Sequence, residues 1–325
     1  MRTISVMIAF QLLAVCLFAQ EPIVQVDYEV PSPATRAVFW GSMDLISWTP
    51  HQRGMDFVAT DAGGATAIGP GQLHDVNLDR DIGTRSTIGL VTRTGWGFDI
   101  AYTYFDTEGE RTINRPPGVG QLFSTISHPR ENDEAETATA IAALDYNVFD
   151  LTGRYIIINH EHAAVELFGG LRFADIDQNM TALYDGRDFD NAVISRESNV
   201  SAFGLRFGGV SRCRVGAGFS FFGSAACSAL HGKIENHRLE TDLNGGRTIV
   251  DLGNSYTQAI FNLDTALGLS WQHDNWNLST GYEFNVWTNL GDNIRLFDNF
   301  DGGRVAGLSG DLLLDGLFVR VARAW

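Results

Sequence analysis

The segment 317–325, LFVRVARAW, alternates between two faces up to its last residue. Successive residues of a β-strand point to opposite sides, so Leu317, Val319 and Val321 share an apolar face. The chain then ends on an aromatic residue, Trp325. An alternating strand that closes on an aromatic residue is typical of the final strand of a bacterial outer-membrane barrel. Arg323 lies in the same row, where an arginine at the membrane edge snorkels to the interface.

The same period of two recurs along the chain, most clearly over 96–104, 259–271 and 276–286. In each segment the large apolar residues share one face, and the opposite face carries small or polar residues. Aromatic residues stand at strand ends, where they form the girdles of a membrane barrel. The residues expected to face lipid or form a girdle are Trp96, Phe98, Phe261, Trp271, Trp276, Phe284 and Trp325.

The connections between these segments are unequal in length. Arg93-Thr94-Gly95 and His273-Asp274-Asn275 predict tight turns, whereas 106–136, 175–199, 235–255 and 292–309 are long and polar. Short turns at one end and long loops at the other are typical of outer-membrane barrels. The sequence therefore predicts an all-β fold: a single antiparallel transmembrane β-barrel of about 12 strands, with short periplasmic turns and long extracellular loops.

The N-terminus predicts export. Arg2 precedes an apolar run that ends near Ala19, which is the pattern of a secretory signal peptide. We expect a signal peptide over 1–19, a polar leader over 20–35 and the barrel over 36–325. These boundaries imply localisation in the bacterial outer membrane.

Charge and cysteine content exclude some alternatives. The formal net charge of −16 argues against nucleic acid as a partner, since phosphate binding requires a basic surface. Cys213 and Cys227 are expected to be free thiols, because a single hairpin would hold them too far apart for a disulfide.

Alternation alone does not say which face is inside, because a soluble sandwich buries the apolar face that a membrane barrel turns to lipid. The small residues opposite the apolar face and the terminal Trp325 favour the barrel. Its lumen would be lined by charged residues that either set ion selectivity in an open pore or pair with one another in a plugged lumen. The predicted pore-lining residues are Asp99, Asp145, Glu166, Arg172, Arg206, Asp264, Glu283 and Arg320.

No local pattern selects a catalytic set, so we expect no enzyme activity, no catalytic residue and no cofactor. His160-Glu161-His162 places two imidazoles on one side of a strand, as a metal site would require. It lies between two predicted strands, however, and a solvated turn is the favoured interpretation, so no metal site is predicted.

Several fragments resemble the Legionella-type major outer-membrane porin family, especially its versions in planctomycete-like bacteria. They span most of the chain after the signal peptide, in family order: WGSMDLISWTPHQRGMDF (40–57), WGFDIAYTYF (96–105), LDYNVF (144–149), ELFGGLRFA (166–174), 203–209, GFSFFG (218–223) and 314–325. The resemblance implies a pore-forming outer-membrane barrel without an enzyme activity or a cofactor.

The function expected from the sequence is therefore passive diffusion of small hydrophilic solutes or ions through a porin-like barrel. Two alternatives stay open: a plugged-lumen surface or adhesion barrel that acts through acidic loops, and a secreted soluble all-β binding protein. The expected partners are outer-membrane lipid, small solutes or ions, and the barrel-assembly machinery through the C-terminal strand. A homo-oligomer is possible on this interpretation.

Overall fold

A computed structural model describes residues 37–61, 71–128, 133–290, 292–296 and 305–325. The predicted signal peptide (1–19), the predicted polar leader (20–35) and the predicted first residue of the barrel lie outside these ranges. Within them, no helix has the length and hydrophobicity needed to cross a membrane.

Ten antiparallel strands close into a barrel. The all-β barrel prediction is confirmed, but the barrel has ten strands rather than about 12. The segment around Phe57 accounts for part of the difference in strand number. It forms a strand of a small separate sheet and does not belong to the barrel. The barrel strands are β1 (Val38–Gln52), β4 (Asp81–Val91), β5 (Trp96–Asn114), β7 (Thr137–Asn159), β8 (Ala163–Gly186), β9 (Phe189–Gly216), β10 (Phe219–Asp242), β11 (Arg247–His273), β12 (Trp276–Thr288) and β15 (Leu312–Ala324).

The barrel closes between its first and last strands. β1 pairs with β15 in a continuous register from Trp40 opposite Ala324 to Gln52 opposite Leu312. The Trp325 backbone N–H extends this seam by donating to the Phe39 carbonyl oxygen at 2.8 Å. Closure leaves no unpaired sheet edge at the level of β1 and β15, which is the condition for a β-structure to span lipid.

The wall has two heights. Strands β7 to β11 have 23 to 28 residues, whereas β1, β4, β12 and β15 have 11 to 15. A tilted spanning strand needs only about 9–11 residues, so β7–β11 form a tall wall that projects beyond the membrane. Most of 175–199 and 235–255, expected as loops, is therefore strand, joined by the short connections 187–188 and 243–246.

The outer surface carries the predicted apolar band. Phe98 and Phe261 are 49% and 51% exposed, and Trp325 is 65% exposed. All seven residues predicted to face lipid or form a girdle are exposed on the outer face of the barrel, where a soluble sandwich would bury its large apolar residues. The Arg323 guanidinium lies 4.9 Å from the centre of the Trp276 ring, so it stacks on a girdle aromatic at the membrane edge.

We expect Phe207→Arg to destabilise the folded barrel by about 2–4 kcal/mol, because Phe207 lies in the central part of the outward apolar band of β9. Asn199→Arg is the matched control, since Asn199 is exposed on the same strand face but outside that band. The urea concentration at which half of the compact, heat-modifiable gel band is lost measures the stability of each variant. Equal effects of the two substitutions would contradict the membrane placement.

A second, three-stranded sheet packs against the inner face of the tall wall, at the extracellular end of the barrel. It consists of β2 (Asp56–Asp61), β3 (Gly71–Asp75) and β6 (Gln121–Ser124), in the order β3-β2-β6. Phe57 and Leu122 of this plug sheet are fully buried in one apolar cluster with inward residues of the tall wall. The Tyr184 hydroxyl donates to the Phe57 carbonyl oxygen and ties the sheet to β8. A further hairpin, β13 (Asp292–Leu296) and β14 (Val305–Ser309), connects β12 to β15.

Candidate functional site: the barrel lumen

Seven of the eight predicted pore-lining residues point into the barrel. Their neighbours in the sheet alternate outward, as the pleat requires. The inward residues are Asp99, Glu166, Arg172, Arg206, Asp264, Glu283 and Arg320, and each makes an ion pair there.

Asp145 is the exception, because it is exposed on the outer face of β7. Its neighbours Leu144 and Tyr146, whose apolar side chains opposite Asp145 would predict a position facing lipid, are buried inside the barrel instead. The alternation itself is unbroken along β7, but the polarity of the two faces reverses where the strand leaves the membrane. Above that level the inner face packs on apolar groups and the outer face meets water, so an apolar residue no longer indicates lipid.

One group of charges lies on the side of the lumen that is formed by the short strands β1, β4, β12 and β15. The Arg320 guanidinium forms two hydrogen bonds of 2.7 Å with the carboxylate of Asp44, which is fully buried. Arg85 bridges the same carboxylate at 3.2 Å and that of Glu283 at 3.1 Å. Trp48 Nε1–H also donates to Glu283 at 2.9 Å. The group therefore spans four neighbouring strands, from β4 to β12.

A second group lies on the tall-walled side and is centred on Arg172, which is 4% exposed. Its guanidinium binds the Asp150 carboxylate in bidentate geometry at 2.7 and 2.8 Å and contacts Asp264 at 2.9 Å. It also donates to the Asn262 side-chain oxygen. Arg206 approaches Asp264 at 2.9 Å from the other side.

A third group lies nearer the periplasmic turns. Arg154 bridges Asp99 at 2.5 Å and Glu166 at 2.9 Å. Its guanidinium also lies 5.3 Å from the centre of the Trp40 ring. Together the three groups form the lumen ion-pair network, which contains six carboxylates and five arginines: Asp44, Asp99, Asp150, Glu166, Asp264 and Glu283 with Arg85, Arg154, Arg172, Arg206 and Arg320.

An aromatic crossbar lies on the extracellular side of these charges. Asn285 of β12 donates to the Tyr146 hydroxyl of β7 at 3.1 Å. These two strands are five positions apart in a ring of ten, so the bond joins opposite walls. The Tyr146 ring packs edge-on against Trp48 and Trp287, with centroid separations of 5.6 and 6.0 Å. All four side chains of this crossbar are buried inside the barrel.

The sequence prediction missed several members of the site. The network depends on three residues that were not predicted: Arg85, Asp150 and Arg154. Each lies in or beside a segment whose period-two alternation is weak. Trp48 and Trp287 were missed for another reason, since an aromatic residue near a strand end resembles a girdle residue. The charge of Arg85 and Arg154 could have predicted their inward position, because an arginine that faces lipid near the membrane centre destabilises a barrel.

The extracellular rim is held by ion pairs between connections. Arg187 approaches Glu134 at 2.5 Å, and Arg115 approaches Glu136 at 2.9 Å. Beside them, the pKa of Asp133 is raised by a hydrogen bond with Asp188, by the burial of Asp133 itself and by the negative charge of Asp188. His160 and His162 lie in the β7–β8 turn, and no group of metal-ligating side chains occurs in the part of the chain that the structure describes.

The closed ten-stranded ring, the outward apolar band and the charged interior define an outer-membrane β-barrel. Residues 32–323 match the model of the Legionella pneumophila major outer membrane protein precursor family. The chain belongs to this family, and it is therefore a protein of the bacterial outer membrane. No curated protein matches it.

Among solved structures, the chain is similar to the outer membrane protease OmpT from Escherichia coli. The identity is 10%, the TM-score is 0.50, and the match covers 92% of this chain and 98% of OmpT. This likeness shows the barrel fold alone. Ail, the attachment invasion locus protein of Yersinia pestis, matches with a TM-score of 0.25 at 10% identity, over 88% of this chain and 99% of Ail. A Pseudomonas aeruginosa FadL homologue matches with a TM-score of 0.24 at 7% identity, over 90% of each chain.

Proposed function

We propose that this protein is a closed-lumen barrel that acts at the bacterial surface through its extracellular wall, rather than an open diffusion pore. The observation that carries the proposal is the 3.1 Å hydrogen bond from Asn285 to Tyr146, which joins opposite walls of the lumen. A water-filled channel requires these walls to be separated by solvent.

Two further features support a closed lumen. Below the crossbar, Arg172 and Arg85 are each shared between two carboxylates, so the charges neutralise one another instead of lining open water. Above it, the plug sheet and the tall wall share a fully apolar cluster that includes Phe57 and Ile194. Ion passage would have to separate this cluster and expose it to water, at a cost of roughly 25 cal/mol per Å².

The outer face of the tall wall and of the neighbouring strand β5 supplies the surface through which such a barrel would act. Asp106, Asp145 and Asp177 occupy directly paired positions on β5, β7 and β8, and Asp106 and Asp145 are exposed on the outer face. Like charges opposite one another on neighbouring strands repel, so this surface favours cationic groups. We therefore propose cationic surfaces as the partners of the wall, and we propose no catalytic step for the chain.

Passive diffusion of ions is the second candidate, and one observation favours it. At membrane level the lumen is lined with charged groups from every side, from Asp44 on β1 to Arg206 on β9. Such a lining would set ion selectivity if the crossbar and the plug sheet moved aside. Solute passage by this route would make the protein porin-like.

We expect the refolded protein to give no regular stepwise conductance in planar lipid bilayers, because the crossbar and plug sheet block the lumen. An open porin reconstituted in the same bilayers is the positive control. Tyr146→Ala combined with Trp287→Ala should raise the frequency of conducting events, whereas Tyr102→Ala on the outer face should not. Regular steps from the unaltered protein would overturn the closed-lumen proposal and support diffusion.

A further inference from the structure

The extracellular part of β11 is paired along one side only. Its pairing with β10 continues to Arg247 opposite Asp242, whereas its pairing with β12 ends at Phe261 opposite Thr288. The stretch from Trp271 to Phe261 already supplies the roughly 9–11 residues that a tilted strand needs to cross the membrane. The part of β11 beyond Phe261 therefore projects into water, and within the residues that the structure describes no strand pairs with it on the side away from β10.

Four residues of this part direct their backbone groups to the open side. The carbonyl oxygens of Phe261 and Ala259 accept hydrogen bonds on that side, from Thr288 Oγ1 at 3.5 Å and from Asn289 Nδ2 at 3.3 Å. In an antiparallel ladder the N–H and C=O of one residue point to the same side, and this side alternates along the strand. The residues in phase with Ala259 form what we call the β11 edge: Asp251, Gly253, Ser255 and Thr257.

The other end of the tall wall shows how this chain covers an open edge. There β5 pairs with β4 only as far as Tyr104, and the connection from β3 to β4 runs along the remainder. The Asp79 N–H donates to the Glu108 carbonyl oxygen at 3.1 Å, and the Asp79 carbonyl oxygen accepts from Thr107 Oγ1 at 2.8 Å. Among the described residues no backbone segment covers the β11 edge in this way. The segment DLGNSYT (251–257) also lacks the proline and lysine that commonly protect edges from other strands.

The inner face beside the edge is suited to an apolar side chain. Leu252 is 39% exposed, whereas its partner on β10, Arg238, is 1% exposed. An apolar side chain on the inner face of an added strand would remove part of the Leu252 surface from water.

The outer face beside the edge is suited to a basic side chain. The Asp251 side chain is 66% exposed, and its carboxylate contacts His237 Nε2 at 2.9 Å. Glu235, which lies opposite Ser255 on β10, forms an ion pair with Lys233 at 2.5 Å. Opposite charges on neighbouring strands attract and like charges repel, so Asp251 favours lysine or arginine on an added strand.

We propose that the β11 edge binds an extended, basic segment of another protein, which adds to the wall as an antiparallel strand. The segment bonds through its backbone to the four edge residues, places a basic side chain beside Asp251 and places an apolar one beside Leu252. This inference rests on the proposed function, because it names the partner class and the contact of the extracellular wall. Recognition then depends on the main chain of the partner as well as on its charge.

The test uses the full refolded chain in detergent and a labelled peptide of alternating lysine and valine, whose binding is followed by fluorescence anisotropy. In the antiparallel register that places lysine beside Asp251, the lysine N–H groups face the edge and the valine N–H groups face away. We expect N-methylation of the lysines to weaken binding by roughly tenfold or more, because several main-chain hydrogen bonds are lost together. N-methylation of the valines keeps the charge and those bonds, and should change the affinity by less than about twofold.

Ser255→Pro tests the same contact from the side of the protein. Proline removes the edge-facing N–H but no bond to β10, and edge strands tolerate it. We expect a roughly tenfold loss of peptide affinity, whereas Ser255→Ala keeps the backbone and should stay within about twofold. Amide hydrogen exchange of the unaltered protein keeps the test decisive if the proline variant does not fold. The Gly253 and Ser255 amides should exchange rapidly without peptide and become protected when it binds.

Absence of binding, or equal binding of the two N-methylated peptides, would overturn strand addition. If equal binding is then lost in the double variant Asp106→Asn, Asp145→Asn, the wall still attracts cationic partners and the proposed function stands. Protection of the Gly253 and Ser255 amides without peptide would show that a second copy or another part of this chain covers the edge, and would also overturn the inference. Regular conductance steps count against the closed-lumen proposal and leave the peptide result unaffected.

Discussion

Arg172→Met should destabilise the folded barrel by about 3–5 kcal/mol, because it leaves buried carboxylates without their cation. The Arg172 guanidinium binds Asp150 at 2.7 and 2.8 Å and Asp264 at 2.9 Å, and its removal leaves only Arg206 near both acids. Methionine keeps most of the side-chain volume, so the loss measures charge rather than packing. The midpoint of urea unfolding, read from the heat-modifiable gel band, gives the change.

Two companion variants separate charge from general sensitivity of the lumen. Arg93→Met removes an arginine from an exposed turn and should change stability by less than about 0.5 kcal/mol. Adding Asp150→Asn to Arg172→Met should recover part of the loss, since it removes one of the stranded charges. If the double variant is less stable than Arg172→Met alone, the ion-pair account of the lumen is wrong.

Gly316→Ala should prevent or severely weaken closure of the barrel. A Cβ atom at Gly316 would lie 1.8 Å from the Ser47 carbonyl oxygen and 3.1 Å from the Trp48 Cα atom. Because these are backbone atoms of the paired strand, the β1–β15 seam itself must shift to make room, at a cost of about 3 kcal/mol or more.

The control for closure is Gly253→Ala on β11, where the nearest atom to an added Cβ is His237 Cδ2 at 4.0 Å. We expect Gly253→Ala to fold in the same yield as the unaltered chain and Gly316→Ala to remain largely in the unfolded gel band after refolding. Comparable yields for the two variants would mean that the seam tolerates a side chain at this position.

The outward face could be predicted from the sequence because lipid imposes one requirement on every residue that contacts it. Phe98, Phe284 and Trp325 therefore follow from period-two alternation alone. The partners of the inward charges could not be predicted in this way. Arg85 meets Glu283 three strands away around the ring, and only the register of all the intervening strands fixes that distance.

Alternation also fails where the surroundings of a face change. Leu144 and Tyr146 obey the pleat, but the medium outside β7 changes from lipid to water along the strand, so residue type no longer identifies the side. The plug sheet was missed for a related reason. Strands β2, β3 and β6 have only four to six residues, and β6 is distant in sequence from its partner β2.

The seam between β1 and β15 has a consequence for biosynthesis. Asp44 and Arg320 are 276 positions apart, yet their ion pair belongs to the closing contact of the ring. A chain that lost β15 would leave β1 and β12 as open edges, whose backbone groups lipid cannot hydrogen-bond. Stable insertion therefore requires β15, and we expect a chain without this strand not to form a closed barrel in the membrane.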